Sequence, residues 1–201
     1  TCIGLVPTNR ILVGQDIQPG DAVIGLRSSG IHSNGLTLAR EVFFKQAKYR
    51  PDAYIAELGR TIGEELLVPT RIYVREVLEL LRAGLEIKAL SHITSDGFLN
   101  LARVRAKVGY VLEALPAPQP VFSLLQEIGR VSDEEMFAVY NMGTGFCLVV
   151  ARADADRTLD ALRRLGVEAF HLGQAVADPD RKVSLVPKGL VGEGGHFRRV
   201  S

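Results

Sequence analysis

Val23-Ile24-Gly25-Leu26-Arg27-Ser28-Ser29-Gly30-Ile31-His32-Ser33-Asn34-Gly35-Leu36-Thr37-Leu38-Ala39-Arg40-Glu41-Val42-Phe43 changes character twice in a short span. The apolar run over 22–27 reads as a buried strand, and the spacing from about 35 to 45 reads as a helix. Between them, residues 28–35 are almost all small or polar. A strand, a small-residue loop and a helix start point backbone N–H groups and the helix dipole at an anion. The hydroxyls of Ser28, Ser29 and Ser33 and the imidazole of His32 add donors suited to phosphate oxygens. Gly30 and Gly35 let the main chain approach a ligand. No Gly-Lys-Ser/Thr closes the loop, so it is not a Walker A motif. The same residues also make an ordinary turn, with Ser33 or Asn34 capping the helix. From this stretch alone both readings stand.

Outward from it, strands and helices alternate irregularly. Residues 2–6 and 11–13 flank Pro7-Thr8-Asn9-Arg10 and predict a hairpin or two short strands. Gln18-Pro19-Gly20-Asp21 is a turn that launches the strand at 22–27. Residues 46–70 are less regular. A helix is predicted over 71–82, with Ile72, Val74, Val77, Leu78, Leu80 and Leu81 as its apolar face and Gly84 as its end. Strands are expected at 87–93, 108–113, 146–150, 167–173 and 182–186. Helices are expected at 98–104, 121–129, 132–140 and 154–165. The pattern predicts one α+β domain over 1–188, a mixed β-sheet with packed helices. The glycine-rich stretch 189–201 reads as a mobile tail, and Gly192-Glu193-Gly194-Gly195-His196 as linker-like.

Bulk properties exclude several classes. The chain has 201 residues, and 24 Lys+Arg against 23 Asp+Glu leave a net charge of +1, so no global field favours nucleic acid or an acidic membrane. Any anion site must be local. No apolar run is long enough to span a bilayer, and no signal peptide opens the sequence. Cys2 and Cys147 form no disulfide framework and lack metal-ligand spacing, so the cytoplasm is the expected compartment and no metal ligands are assigned. Cys147, inside Phe146-Cys147-Leu148-Val149-Val150, reads as core. Glu64-Glu65 and Arg163-Arg164 read as solvated helix faces or ends.

Two further loops place polar residues beside buried elements. His92-Ile93-Thr94-Ser95-Asp96-Gly97 leaves a strand with an imidazole, hydroxyls and a carboxylate, a set able to orient a substrate or move a proton. A satisfied histidine followed by an Asp-Gly turn fits the same residues. In Asn141-Met142-Gly143-Thr144-Gly145, two glycines before a strand signal close backbone approach, either to a ligand or to a neighbouring segment.

In order along the chain, these motifs resemble a known family. Gly20-Asp21, then Leu26-x-Ser28-Ser29-Gly30-x-His32-Ser33-Asn34-Gly35-x-x-Leu38-x-Arg40, is similar to the C-terminal half of aminoimidazole ribonucleotide synthetases, also called phosphoribosylformylglycinamidine cyclo-ligases. So are Pro69-Thr70-Arg71-Ile72-Tyr73-Val74, His92-Ile93-Thr94, and Glu135-Met136-Phe137 leading to Asn141-Met142-Gly143-x-Gly145. The resemblance runs from Thr1 to about Val186. It implies purine biosynthesis: ATP phosphorylates the formyl oxygen of formylglycinamidine ribonucleotide, and a nitrogen then attacks the formyl carbon and closes the imidazole. It implies His32 and His92 as catalytic residues that orient groups or shuttle protons. It implies substrate or phosphate contacts from Ser28, Ser29, Gly30, Ser33, Asn34, Gly35, Thr94, Asp96, Asn141 and Gly143. ATP and Mg²⁺ are expected to be held mainly by an N-terminal ATP-binding domain whose motifs are absent here. A homodimer is one expected assembly.

Two departures shape the expectations. Where the family usually runs glycines after His-Ile-Thr, this chain has Ser95-Asp96-Gly97. Asp tolerates left-handed geometry, so the turn is expected to survive, with Asp96 a candidate carboxylate toward a metal or an amidine. The sequence also opens at Thr1 with no initiator Met, which predicts a fragment or processed product unable to turn over alone. It further predicts an apolar patch where an ATP-binding half docks. The alternatives are a paralogue with another acceptor and a ligand-binding domain without catalysis.

Overall fold

The computed structural model describes residues 3–200. Cys2 and the last residue of the expected tail, Ser201, lie outside the described residues.

Among the described residues eight strands form one mixed sheet, in the order β10 (His196–Arg199), β9 (Leu190–Glu193), β8 (Val183–Leu185), β5 (Gly109–Leu112), β7 (Ala169–Val176), β1 (Ala22–Arg27), β6 (Thr144–Val150) and β4 (Ile87–His92). β1 (Ala22–Arg27) is an interior strand, paired antiparallel with both β6 (Thr144–Val150) and β7 (Ala169–Val176). β4 (Ile87–His92) pairs antiparallel with β6 and makes one edge. On the other side β7 meets β5 (Gly109–Leu112), which pairs parallel with β8 (Val183–Leu185). β1 and β6 are apolar on both sides because both sides of the sheet are covered. Val23, Cys147 and Val149 belong to one hydrophobic core, while Ala22, Ile24, Leu26, Leu148 and Val150 belong to a second. The architecture is the α+β mixed sheet with packed helices that the pattern predicts.

The first core is the larger. It takes in α1 (Leu36–Arg40), a π-helical turn over Glu41–Gln46, α4 (Pro120–Gly129), α5 (Asp133–Val139) and a 3₁₀ turn over Gly97–Ala102. The helix expected over 35–45 is thus α-helical only at its start. The wider turn that follows seats Val42 and Phe43 in the core, with Val42 over Gly129. The irregular stretch at 46–70 holds a small hairpin, β2 (Tyr54–Ile55) and β3 (Arg60–Thr61), and α2 (Ile62–Leu66). Thr61 and Glu64 cap α2 reciprocally, and Glu65 is buried rather than solvated, 3.6 Å from Arg60.

The second core is covered by α3 (Val74–Arg82) and α6 (Ala155–Arg164). α3 starts three residues later than the apolar spacing predicts, because residues 69–73 are bonded elsewhere. Ser29 Oγ donates to the Pro69 carbonyl at 2.7 Å, Ser33 and Thr70 share a hydroxyl hydrogen bond, and Tyr73 Oη donates to the Arg27 carbonyl at 3.0 Å. Only Val77 and Leu80 of the expected apolar face are buried, whereas Ile72 is 78% and Val74 61% exposed.

Two further expectations change. Residues 3–7 and 11–13 join no strand, and Thr8–Arg10 forms a 3₁₀ turn. A strand needs a neighbour for its backbone groups, and Ile3 and Leu5 lie exposed without one. The tail expected to be mobile is instead a hairpin, β9 (Leu190–Glu193) with β10 (His196–Arg199). Gly194 and Gly195, both with positive φ, make its two-residue turn, and Leu190 and Phe197 are buried. Glycine spacing that reads as a linker is here a turn between two short strands.

Candidate functional site

Antiparallel pairing decides where the polar loops meet. β1 and β4 both run antiparallel to β6, so the ends of β1 and β4 lie beside the start of β6. The loops after β1 and β4 and the loop before β6 therefore gather at one end of three adjacent strands. A buried ion pair steadies the other end. Lys88 Nζ donates to both carboxylate oxygens of Asp21 at 2.9 Å, and the Gln18 N–H donates to the same carboxylate.

The loop over Ser28–Gly35 is tied down on every side. The Gln119 amide donates to the Ser28 carbonyl at 2.7 Å and to its Oγ at 3.1 Å. Ser29 and Ser33 reach Pro69 and Thr70, as described above. Asn34 Nδ2 donates to Thr94 Oγ1 at 2.5 Å and joins the first loop to the second. Asn141 joins the first to the third: its Nδ2 donates to the Gly30 carbonyl at 2.8 Å and its Oδ1 accepts the Gly143 N–H at 2.9 Å. The Ser28 N–H donates to the Gly143 carbonyl. Asn141 and Gly143 are buried beneath the loop, while Ser33 stands exposed and Asn34, Gly35 and Thr94 are half-buried. Neither Ser33 nor Asn34 caps α1. Gly35 is the N-cap, left-handed at φ 70°, with no side-chain cap, because Tyr140 lies against its bare Cα and donates Oη to its carbonyl.

Asp96 does take the left-handed turn, at φ 69°, followed by Gly97 at φ 53°. Its carboxylate pairs with Arg103, so it points to a neighbouring side chain of its own segment. Among the described residues no group of three or more His, Cys, Asp or Glu is placed to hold a metal ion. The described residues thus offer no cluster of ligands for the Mg²⁺ that the resemblance implies.

The two histidines come together, with ring centroids 6.2 Å apart. His32 is buried and left-handed at φ 63°, and its Nε2 accepts the Ser29 N–H at 3.1 Å. Burial, then the neighbouring His92, pushes its pKa down to about 4, so the ring is neutral at physiological pH. His92 stands exposed at the end of a ladder of flat groups. Arg71 lies over Tyr73, Tyr73 stacks on Phe146 at 5.1 Å, and Phe146 faces His92 at 6.4 Å. Burial raises the Tyr73 phenol above its ordinary range, which keeps it a hydrogen-bond donor. An open cleft of about 450 Å³ runs from His92 along this ladder to Ile72 and to Val74 and Leu78 on α3.

Gln119, Tyr73 and Phe146 are the site residues that spacing did not single out. Gln119 sits in a proline-rich turn with no local signal, and only the fold brings it to Ser28. Tyr73 carried a signal, inside the Pro69–Val74 motif, but there it lies in the predicted helix 71–82 and off its apolar face.

With this geometry in place, residues 18–186 match the family described as AIR synthase related protein, C-terminal domain. The chain belongs to that family. All three loops of the site lie inside the matched span, and the β9–β10 hairpin lies beyond it. The chain is 48% identical over 185 residues to a phosphoribosylformylglycinamidine cyclo-ligase of Methanothermobacter thermautotrophicus, covering 92% of this chain and 53% of that protein. It is 45% identical over 177 residues to one of Methanocaldococcus jannaschii, covering 88% and 50%. The chain thus spans about half the length of the curated relatives it matches. E. coli HypE, a hydrogenase maturation protein, shares the fold at a TM-score of 0.56 and 19% identity, over 98% of this chain and 54% of that one. No helix among the described residues of this AIR-synthase-type domain is long and apolar enough to cross a membrane.

Proposed function

We propose that this domain forms the substrate-facing half of an ATP-dependent cyclo-ligase that converts formylglycinamidine ribonucleotide to aminoimidazole ribonucleotide. The observation that carries the reading is the convergence of three polar loops at the β1–β6–β4 end, in a chain whose relatives carry that enzyme's name. Ring closure needs its reacting groups held in register more than it needs a covalent nucleophile. The Ser28–Gly35 loop suits that task because its own serines and Asn34 are already bonded to the scaffold, so little ordering remains when a ligand arrives. His92 is exposed and the Asn34–Thr94 pair half-buried, which leaves these groups within reach of a ligand from solvent. In this reading ATP and Mg²⁺ are held by an N-terminal ATP-binding domain, and the cytoplasm is the place of action. A homodimer belongs to the same proposal.

Titration calorimetry with formylglycinamidine ribonucleotide tests it. Saturable binding to the chain, weakened about tenfold by His92→Ala, is the expected result. No heat with the chain, alone or mixed with an ATP-binding domain from a cyclo-ligase, would overturn the reading.

A further inference from the structure

The two ring nitrogens of His32 have unequal lives. Nε2 accepts a backbone hydrogen bond from Ser29, and a nitrogen that accepts carries no proton, so the neutral ring holds its hydrogen on Nδ1. Nδ1 is buried and has no partner among the described residues. Buried donors are nearly always satisfied, and one that is not marks a place where something is missing.

The ring is also held in place. A Cβ at Gly145 would come within 2.6 Å of His32 Cε1 and would collide with Tyr73 Oη, so only bare backbone lets the two rings share that corner. The left-handed φ at His32 is strained for a residue with a side chain and persists because the loop is tied on every side.

We propose that His32 donates a hydrogen bond, through Nδ1–H, to an oxygen of the bound ligand, carbonyl or phosphoryl, and does not carry protons. The proposal rests on the ligand-binding reading above and sharpens it by giving the two histidines different work. Two rings flank His32: Tyr73 at 6.5 Å, buried and anchored to Arg27, and His92, exposed. His92 is the exposed ring of the two, so a ligand arriving from solvent meets His92 before it reaches His32. A ring that stays neutral is a donor of fixed sense across the physiological range.

The test reads the ring nitrogens directly, by long-range ¹H–¹⁵N correlation on the labelled chain. His32 should show the Nδ1–H tautomer at neutral pH, and its Nδ1 resonance should move when formylglycinamidine ribonucleotide saturates the chain. His32→Asn, which keeps an N–H near the Nδ1 position, should bind within about threefold of the parent, and His32→Ala about tenfold more weakly. An Nε2–H tautomer, binding heat with Nδ1 unmoved, or Asn and Ala equally weak would each overturn the donor role and leave the ligand-binding reading intact. No binding heat from the parent chain would remove that reading and the donor role with it.

Discussion

The two faces of the sheet are finished differently. On the face of α1, α4 and α5, contacts are closed to the point that three glycines, Gly35, Gly97 and Gly129, admit no methyl group without displacing a neighbour. On the face of α3 and α6 the core is smaller, and α3 leaves Val74, Leu78 and Leu81 partly in water beside an open cleft. One face is packed as an interior. The other buries its sheet residues as fully but leaves part of α3 open beside the cleft, and His92 of the candidate site lies at that cleft.

The most severe way to break this contrast is Gly97→Ala. Its Cβ would sit inside van der Waals contact of the Phe137 carbonyl oxygen, on a backbone already at positive φ. A loss of about 4 kcal/mol is expected from overlap and strain together. A urea midpoint equal to the parent's would show that the closed face has slack.

The histidine between the faces gives a smaller, pH-dependent effect. His32 titrates near 6.5 when unfolded and near 4 when folded, so between those values the unfolded chain binds more protons. Stability should therefore fall as the pH drops from 6.5 to 4, by about 2 kcal/mol, and level off below. His92, Tyr73 and the Ser29 N–H are the polar groups around the ring. His32→Asn should flatten this part of the curve in denaturant melts run across that range. An unchanged curve would assign the slope to other groups.

The smallest effect belongs to the open face. Leu78→Ser should change the unfolding free energy by less than about 0.5 kcal/mol, because its side chain is already partly hydrated. A much larger loss would mean that α3 is packed as tightly as the helices opposite.

This contrast also separates what could be read in the sequence from what could not. The strands at Ala22–Arg27 and Thr144–Val150 are legible because they are buried on both sides and written in mostly apolar residues, and Ile87–His92 because its buried and half-buried residues alternate. The three loops are legible because their small and polar residues interrupt that writing. The start of α3 is not, since Pro69, Thr70 and Tyr73 are held by bonds to residues some forty positions away. Residues 3–6 are apolar enough to read as a strand, yet composition states a preference and not a partner. Gly194-Gly195 was open to the hairpin reading, because two glycines between Leu190-Val191-Gly192 and Phe197-Arg198 suit a tight turn as well as a linker. Asn141 was found by its motif, but its place beneath the first loop depends on the register of β1 against β6.

The pairing of β1 carries a consequence for how the chain is made. This interior strand leaves the ribosome well before both of its neighbours, β6 and β7, which follow it by more than a hundred residues. At the usual pace of synthesis the wait for them is on the order of ten seconds. Throughout that time an apolar strand waits for the two neighbours that finally pair with its edges. Shielding during translation is therefore as much a requirement of this topology as the packing that eventually replaces it.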